Sequence, residues 1–223
     1  METHNNKTIL IPPQIKTMRS HFNYQTIWHF LHNKGIELYG ASFTLQLADA
    51  DIILKLVVWF IQDKDQVEHF QLDLSKGILL LGPVGCGKSS LMNICRFLLT
   101  ADKRHTIKSC RDVSFDFVRE GYEAIQRYSK GSFTPYKGEP KTYCFDDLGS
   151  ESKVQFYGND CSVMAEIILS RYEFFHAYQM LTHITTNLNS TEIENRYGLR
   201  VRSRMRELFN LVAFQASTPD KRK

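Results

Sequence analysis

A chain of 223 residues with 43% apolar and 23% charged residues is long enough for one α/β core with a small extension, and its usage excludes a disordered or fibrous protein. The net charge of +4 is too small to argue for a nucleic-acid partner by itself. The five cysteines, Cys86, Cys95, Cys110, Cys144 and Cys161, lack the close pairing of zinc or dithiol motifs and are expected to be reduced, mostly buried small hydrophobes.

The N-terminal METHNNKTIL has no basic stretch leading into an apolar segment with a small-residue cleavage site, so no secretory signal is expected and the protein is placed in the cytoplasm. Residues 1–75 read as a helical extension: a polar start, Ile11-Pro12-Pro13, then helix-like stretches around Tyr24 to Asn33 and Ala48 to Gln62. In the second stretch Ile52, Ile53, Leu56, Val57 and Phe60 recur at helical spacing, which marks a face packed on a core. The longest apolar stretch, Ile52 to Ile61, is interrupted by Lys55 and is far shorter than the roughly 20 residues of a membrane span. No membrane partner is expected.

From residue 76 to 217 short apolar runs alternate with helical patterns, the signature of βαβ units and a parallel sheet. The runs are Gly77 to Leu81, Thr106 to Cys110, Thr142 to Phe145, Leu181 to Thr186 and Leu211 to Gln215. Between them three helical stripes are expected: Leu91, Ile94, Cys95 and Leu98; Phe115, Val118, Tyr122 and Ile125; and Val163, Met164, Ile167 and Ile168. Ser129 to Lys141, rich in Gly, Pro and Lys, is a loop by composition. Residues 218–223 form a basic tail ending Lys221-Arg222-Lys223.

Gly82-Pro83-Val84-Gly85-Cys86-Gly87-Lys88-Ser89 fits the phosphate-loop pattern G-x-x-x-x-G-K-[ST], directly after the apolar run Ile78-Leu79-Leu80-Leu81 and directly before a helical pattern. The glycines let the backbone wrap phosphates with its N–H groups inward, and a helix N-terminus adds a favourable dipole. Together with Ser90 these residues form the expected ATP-binding set. Lys88 is expected to reach the β and γ phosphates, and the Ser89 hydroxyl to bind Mg2+.

Thr142-Tyr143-Cys144-Phe145-Asp146-Asp147 is an apolar strand ending in two carboxylates, the pattern of a Walker B strand when it follows a phosphate loop. Asp146 is expected to hold Mg2+ through its water shell, while Asp147 stands where a general base orients the attacking water. Glu151 is a weaker candidate for that base. Asn187 closes the fourth run, where a polar residue lies beside the γ-phosphate in this class of NTPase, although Asn is also a common turn residue. His183, inside the same run, reads as a packed histidine. Arg196, Arg200, Arg202, Arg204 and Arg206 crowd into one short stretch, which without an ATP site would read as a solvated helix face.

The order GPVGCGKSS, CFDDLG, ITTNLN and YGLRVRSRMREL resembles the DnaC/IstB/DnaI helicase-loader branch of AAA+ ATPases, close to the DnaA initiators, over roughly Gly77 to Ser217. Tyr197-Gly198 followed by Arg200 and Ser203-Arg204 is its more specific part. The resemblance implies an α/β P-loop NTPase core with a five-stranded parallel sheet in the order 5-1-4-3-2. It implies self-association through ATP-bridged interfaces, with Arg204 as an arginine finger and Arg200 as a supporting arginine for the neighbouring subunit's ATP. Arg171 resembles a further interface arginine. The stretch after the fifth run is too short for a C-terminal helical lid, a truncation that the loader branch shares. Expected partners are DNA, with phosphate contacts from Ser129 to Lys141 and the helix before it, and a replicative helicase or a transposase. Three rivals stand beside an ATP-hydrolysing loader: an IstB-like transposition helper, a small P-loop metabolite kinase, and a nucleotide-gated binding protein with little turnover.

Overall fold

The computed structural model describes residues 9–152, 154–156 and 159–222. The chain divides into two compact units, one ending at Leu72 and the other starting at Asp73.

The first unit is helical. Its helix α1, Tyr24–Tyr39, starts where the Asn23 side chain accepts the Thr26 amide, satisfying one of the otherwise unpaired N–H groups of a first turn. Helix α2, Ala50–Phe60, buries far more than one stripe: Ile53, Leu54, Leu56, Val57, Val58, Trp59 and Phe60 are all buried. Short α3, Val67–Phe70, follows. Asp63, between α2 and α3, is buried and accepts hydrogen bonds from the Ser20 hydroxyl at 2.6 Å and the Tyr24 hydroxyl at 2.5 Å, which ties the segment before α1 to the end of α2. No helix among the described residues is long and apolar enough to cross a membrane.

The second unit is an α/β sandwich around a parallel sheet. Its strands are β1, Gly77–Leu81; β2, Thr106–Ser109; β3, Tyr143–Leu148; a small antiparallel hairpin of β4, Val154–Phe156, and β5, Asn159–Cys161; β6, Thr182–Thr186; and β7, Phe209–Ala213. Leaving the hairpin aside, the sheet order is β7-β1-β6-β3-β2, which is 5-1-4-3-2 when the five core strands are numbered along the chain. All its neighbours pair in parallel, with Leu79 beside Ile184 and Leu211, and Ile107 beside Cys144. The fold is therefore that of a P-loop NTPase.

The intervening helices are α4, Lys88–Cys95; α5, Cys110–Glu120; α6, Tyr122–Tyr128; α7, Val163–Tyr178; α8, Ser190–Tyr197; and α9, Leu199–Leu208. One apolar cluster joins Leu79, Phe145 and Ile184 of the sheet to Phe117, Ile168 and Met205 of the helices. Burial of this kind is what a parallel sheet needs, because its strands are covered on both faces.

Strand β6 meets that requirement with polar residues. All five of its side chains are buried, yet only Ile184 is aliphatic. Each of the others reaches across the sheet or to a helix: Thr182 accepts from Arg171 Nε at 2.6 Å, His183 Nδ1 accepts the Ile78 amide at 3.1 Å, Thr185 donates to Asp146 at 2.6 Å, and Thr186 donates to Leu148 O at 2.6 Å. A buried hydroxyl costs little when its hydrogen bond is made inside the protein.

Several sequence expectations need correction, among them the fifth run, whose strand β7 spans Phe209–Ala213 rather than Leu211 to Gln215. Cys110 opens α5 and is not the end of β2; β3 continues through both aspartates to Leu148, with a register shift after Phe145. The stripe Phe115, Val118 and Tyr122 is exposed, and the buried face of α5 is instead Cys110, Val113, Ser114 and Phe117. Gly121, at φ 63°, breaks the helix, so periodicity counted across it combined two separate helices, α5 and α6. Ile125, on α6, is buried as expected. The hairpin β4–β5 had no sequence expectation.

Candidate functional site

The loop Gly82 to Gly87 joins β1 to α4 at the carboxyl ends of the parallel strands, where open α/β sheets bind ligands. Gly85 and Gly87 have φ of 78° and 102°, a region that side chains disfavour, and this lets the loop curl before Lys88 starts the helix. Lys88 is 7% exposed and its ammonium donates to Gly82 O at 2.8 Å and Pro83 O at 3.0 Å, folded back across the loop's own opening. Ser89 is exposed and Ser90 half-buried on the first turn of α4, Cys86 is buried, and Val84 stands out at the tip. The curled backbone, the helix N-terminus and a lysine within reach form a donor set suited to triphosphate.

Adjacent strands bring the remaining residues to the same edge. The Gly82 amide donates to Thr186 O at 3.2 Å, so the loop starts beside the end of β6, and Asn187 follows immediately as an exposed residue. Strand β3 lies on the other side of β6 and carries Asp146 and Asp147. Thr185 links the two aspartates: its hydroxyl donates to Asp146 Oδ1 and accepts the Asp147 amide at 2.9 Å. Asp147 is exposed and has φ 59°, a left-handed conformation unusual for a residue other than glycine. Strain of this kind concentrates at functional sites and persists only where the surroundings hold it; here Thr185 is one of the holders. The Ser89 hydroxyl and the Asp146 carboxylate are hard oxygen donors of the kind that suits a magnesium ion.

Glu151 has a different place. It is buried, accepts the Gly149 amide at 2.9 Å and the Tyr197 hydroxyl, and pairs with Arg196, whose guanidinium also donates to its backbone carbonyl. Burial, and then the Glu151 charge, push the Tyr197 phenol well above its ordinary value. This carboxylate joins the loop after β3 to the end of α8. It is spoken for by its neighbours, unlike the exposed Asp147.

The basic stretch lies on α8 and α9. Asn189 and Glu192 close a capping box at the start of α8, and Arg202 pairs with Glu194. Arg200 is exposed; Arg204, one turn further along α9, is half-buried. The Arg204 guanidinium donates to Tyr172 Oη at 2.9 Å and Glu207 Oε1 at 3.1 Å and lies 4.3 Å from the Tyr172 ring centre. Tyr172 in turn donates to Glu207 Oε2 at 2.7 Å. Within one chain the arginine is thus parked against its own α7.

Arg171 is not an interface residue. It is fully buried and donates to Thr182 Oγ1, Tyr128 O, Lys141 O and Leu181 O at 2.6 to 3.0 Å. Burial lowers its pKa to about 9, which still leaves it charged at neutral pH. No local pattern reveals four acceptors drawn from other segments of the chain.

None of the five cysteines is in a disulfide, and burial pushes the Cys95, Cys110 and Cys144 thiols up, away from reactivity. Among the described residues no cluster of His, Cys, Asp and Glu is arranged to hold a metal by itself.

No family model matches the chain, and no curated protein matches it by sequence. Among solved structures, the crystal structure of the DnaC helicase loader superposes with a TM-score of 0.55 at 18% identity, covering 83% of this chain and 98% of that one. A structure described as that of a proposed primosome component from Streptococcus pyogenes serotype M3 superposes with a TM-score of 0.52 at 18% identity, covering 78% of this chain and 83% of that one. At these identities the likeness establishes a shared fold.

Proposed function

We propose that this chain is an AAA+ ATPase of the helicase-loader type, which binds ATP with Mg2+ and assembles on DNA or on a replicative helicase to load or remodel it. The observation that carries this reading is the convergence of the phosphate loop, the Asp146–Thr185–Asp147 clasp and Asn187 on one edge of a 5-1-4-3-2 sheet.

In this reading Gly82 to Ser90 cradle the triphosphate, and Lys88 exchanges its two loop carbonyls for phosphate oxygens. Ser89 and Asp146 hold magnesium, which when bound neutralises charge on the terminal phosphates. Asp147 orients or activates the attacking water, and Asn187 hydrogen-bonds the γ-phosphate or that water. Arg204 leaves Tyr172 and Glu207 on assembly and reaches the ATP of a neighbouring subunit, supported by Arg200. The hydrolysis site is then complete only between subunits.

Calorimetric titration with ATP and magnesium, followed by ATPase assays with and without DNA, tests the proposal. Micromolar ATP binding and turnover stimulated by assembly support it. A nucleotide-gated protein with little turnover is the second reading, favoured by the short side chain of Asp147 on its constrained backbone; it predicts the same binding with no stimulated hydrolysis.

A further inference from the structure

The phosphate loop is contacted by a segment that lies outside every motif defining it. Strand β7 ends at Ala213, and Phe214 continues toward the loop, its amide donating to Leu81 O at 2.9 Å. The buried Phe214 side chain packs on Gly82, where an added Cβ would lie 2.8 Å from the Phe214 Cβ. A turn closed by the Thr218 amide on Gln215 O at 3.0 Å reverses the chain. Asp220 and Lys221 then run along the loop. The Lys221 amide donates to Gly85 O at 3.0 Å, and its ammonium donates to Cys86 O at 2.6 Å while lying 5.0 Å from the Phe214 ring centre. The Asp220 carboxylate, itself held by the Arg222 amide at 2.9 Å, covers Gly85 so closely that a Cβ there would meet Oδ1 at 2.0 Å.

A trans peptide carries its carbonyl and its N–H on opposite sides. The Cys86 carbonyl belongs to the peptide unit whose N–H is that of Gly87, the second motif glycine. An ammonium on the carbonyl side holds this unit's orientation and polarises the N–H on the other side, which in a phosphate loop is the side that receives the anion. The Gly85 carbonyl, held by the Lys221 amide, fixes the preceding unit, whose Cys86 N–H closes a long turn of 3.4 Å onto Pro83 O. A charged group behind the loop thus acts on the face it does not touch.

We propose that Lys221 is a positioning residue for nucleotide phosphate, holding the Cys86–Gly87 peptide unit from the outer side of the loop with its N–H directed to the anion. The Phe214 ring lies beside the ammonium and Asp220 seats the segment over Gly85. The proposal rests on reading this loop as an ATP site.

The test is calorimetric titration of the full chain with ATP and magnesium for wild type, Lys221→Ala and Lys221→Arg, with thermal unfolding of each in the absence of nucleotide. Lys221→Ala is expected to bind roughly tenfold more weakly, the effect of losing one charge-assisted hydrogen bond. Its unfolding temperature without nucleotide should match wild type, and Lys221→Arg should recover most of the affinity. Equal affinity of wild type and Lys221→Ala overturns the proposal. Tighter binding by Lys221→Ala also overturns it and makes the segment a cover over the loop. Weaker binding with a matching fall in unfolding temperature and no rescue by arginine makes the contact merely structural. Absence of ATP binding by the wild type overturns the ATP site itself, and this role with it.

Discussion

The Thr185 hydroxyl donates to Asp146 Oδ1 at 2.6 Å, and the same oxygen accepts the amide of the next residue, Asp147, at 2.9 Å. One buried side chain on β6 therefore orients the carboxylate assigned to magnesium and stabilises the left-handed backbone of the residue assigned to water. Thr185→Val keeps the shape and removes both bonds. It is expected to lose roughly 1–3 kcal/mol of stability, the cost of leaving buried polar groups unpaired, and to need more magnesium for half-maximal ATPase. Urea unfolding and a magnesium titration check this; wild-type behaviour in both would mean that the clasp is incidental.

Lys88→Ala is expected to abolish tight ATP binding while preserving the fold. Its ammonium donates to two carbonyls of its own loop, so the lost charge matters to phosphate far more than to packing. Calorimetry with ATP and magnesium, alongside circular dichroism, decides the matter. Wild-type affinity in a folded variant would displace the phosphate site from this loop.

Arg204→Ala should bind ATP almost normally and hydrolyse it very slowly, since a trans-acting arginine contributes about 10³ to 10⁵ in turnover. The contacts seen in one chain, to Tyr172 and Glu207, are solvent-accessible and contribute little by themselves. Mixing Arg204→Ala with Lys88→Ala pairs an intact loop with an intact finger at some interfaces. Partial recovery of ATPase on mixing is expected; no recovery in a mixture shown to co-assemble would count against action in trans.

Arg171→Met should destabilise the second unit by about 3 kcal/mol or more, because three backbone carbonyls and the Thr182 hydroxyl lose their donor inside the protein. Arg171→Lys should restore only part of this, as one ammonium cannot reach the spread of acceptors served by a guanidinium fork. Chemical denaturation of both variants gives the comparison. A midpoint for Arg171→Met equal to that of wild type would contradict the bracing role.

His105 and His183 stack edge to face at 5.0 Å between ring centres, and both are buried. Burial, then Arg96, lowers the His105 pKa to about 4; burial, then His105 and Arg171, holds His183 well below its ordinary value. Both stay neutral in the fold but take up protons when unfolded, so stability is present above the unfolded value near 6.5 and is lost as pH falls. His105 alone should withdraw on the order of 3 kcal/mol between about pH 6.5 and about pH 4. Thermal unfolding across this range should steepen below pH 6.5, and His105→Phe should flatten the curve; an unaltered slope would mean that the pair is not the source.

The alternation of strands with helices and the place of the phosphate loop were legible because both leave local marks, runs separated by helical stretches and glycines at fixed offsets after an apolar run, whereas the order of the strands followed only from the family resemblance. The same local reading failed at α5, where Gly121 interrupts a periodicity that continues by coincidence, and it hid Phe117 while offering Phe115. Glu151, Arg171, Thr185 and Lys221 were not legible in their structural roles, because the bonds to Tyr197, Leu181, Asp146 and Cys86 run to residues 10 to 135 positions away in the chain. Hydrogen bonds of that span depend on which strands become neighbours, and no periodic pattern encodes them.

Strand β6 is where this chain should tolerate mutation least, although its composition looks unremarkable. A saturation scan scored by soluble expression would find Thr182, Thr185 and Thr186 as unforgiving as Leu80 or Ile184, since an aliphatic replacement fills the space and still strands a partner on the next element. Serine should be the best-accepted substitute at all three. Hydropathy-based estimates of substitution cost would rank these threonines near the surface residues, and the discrepancy between that ranking and the scan would locate the strand without any structure at all.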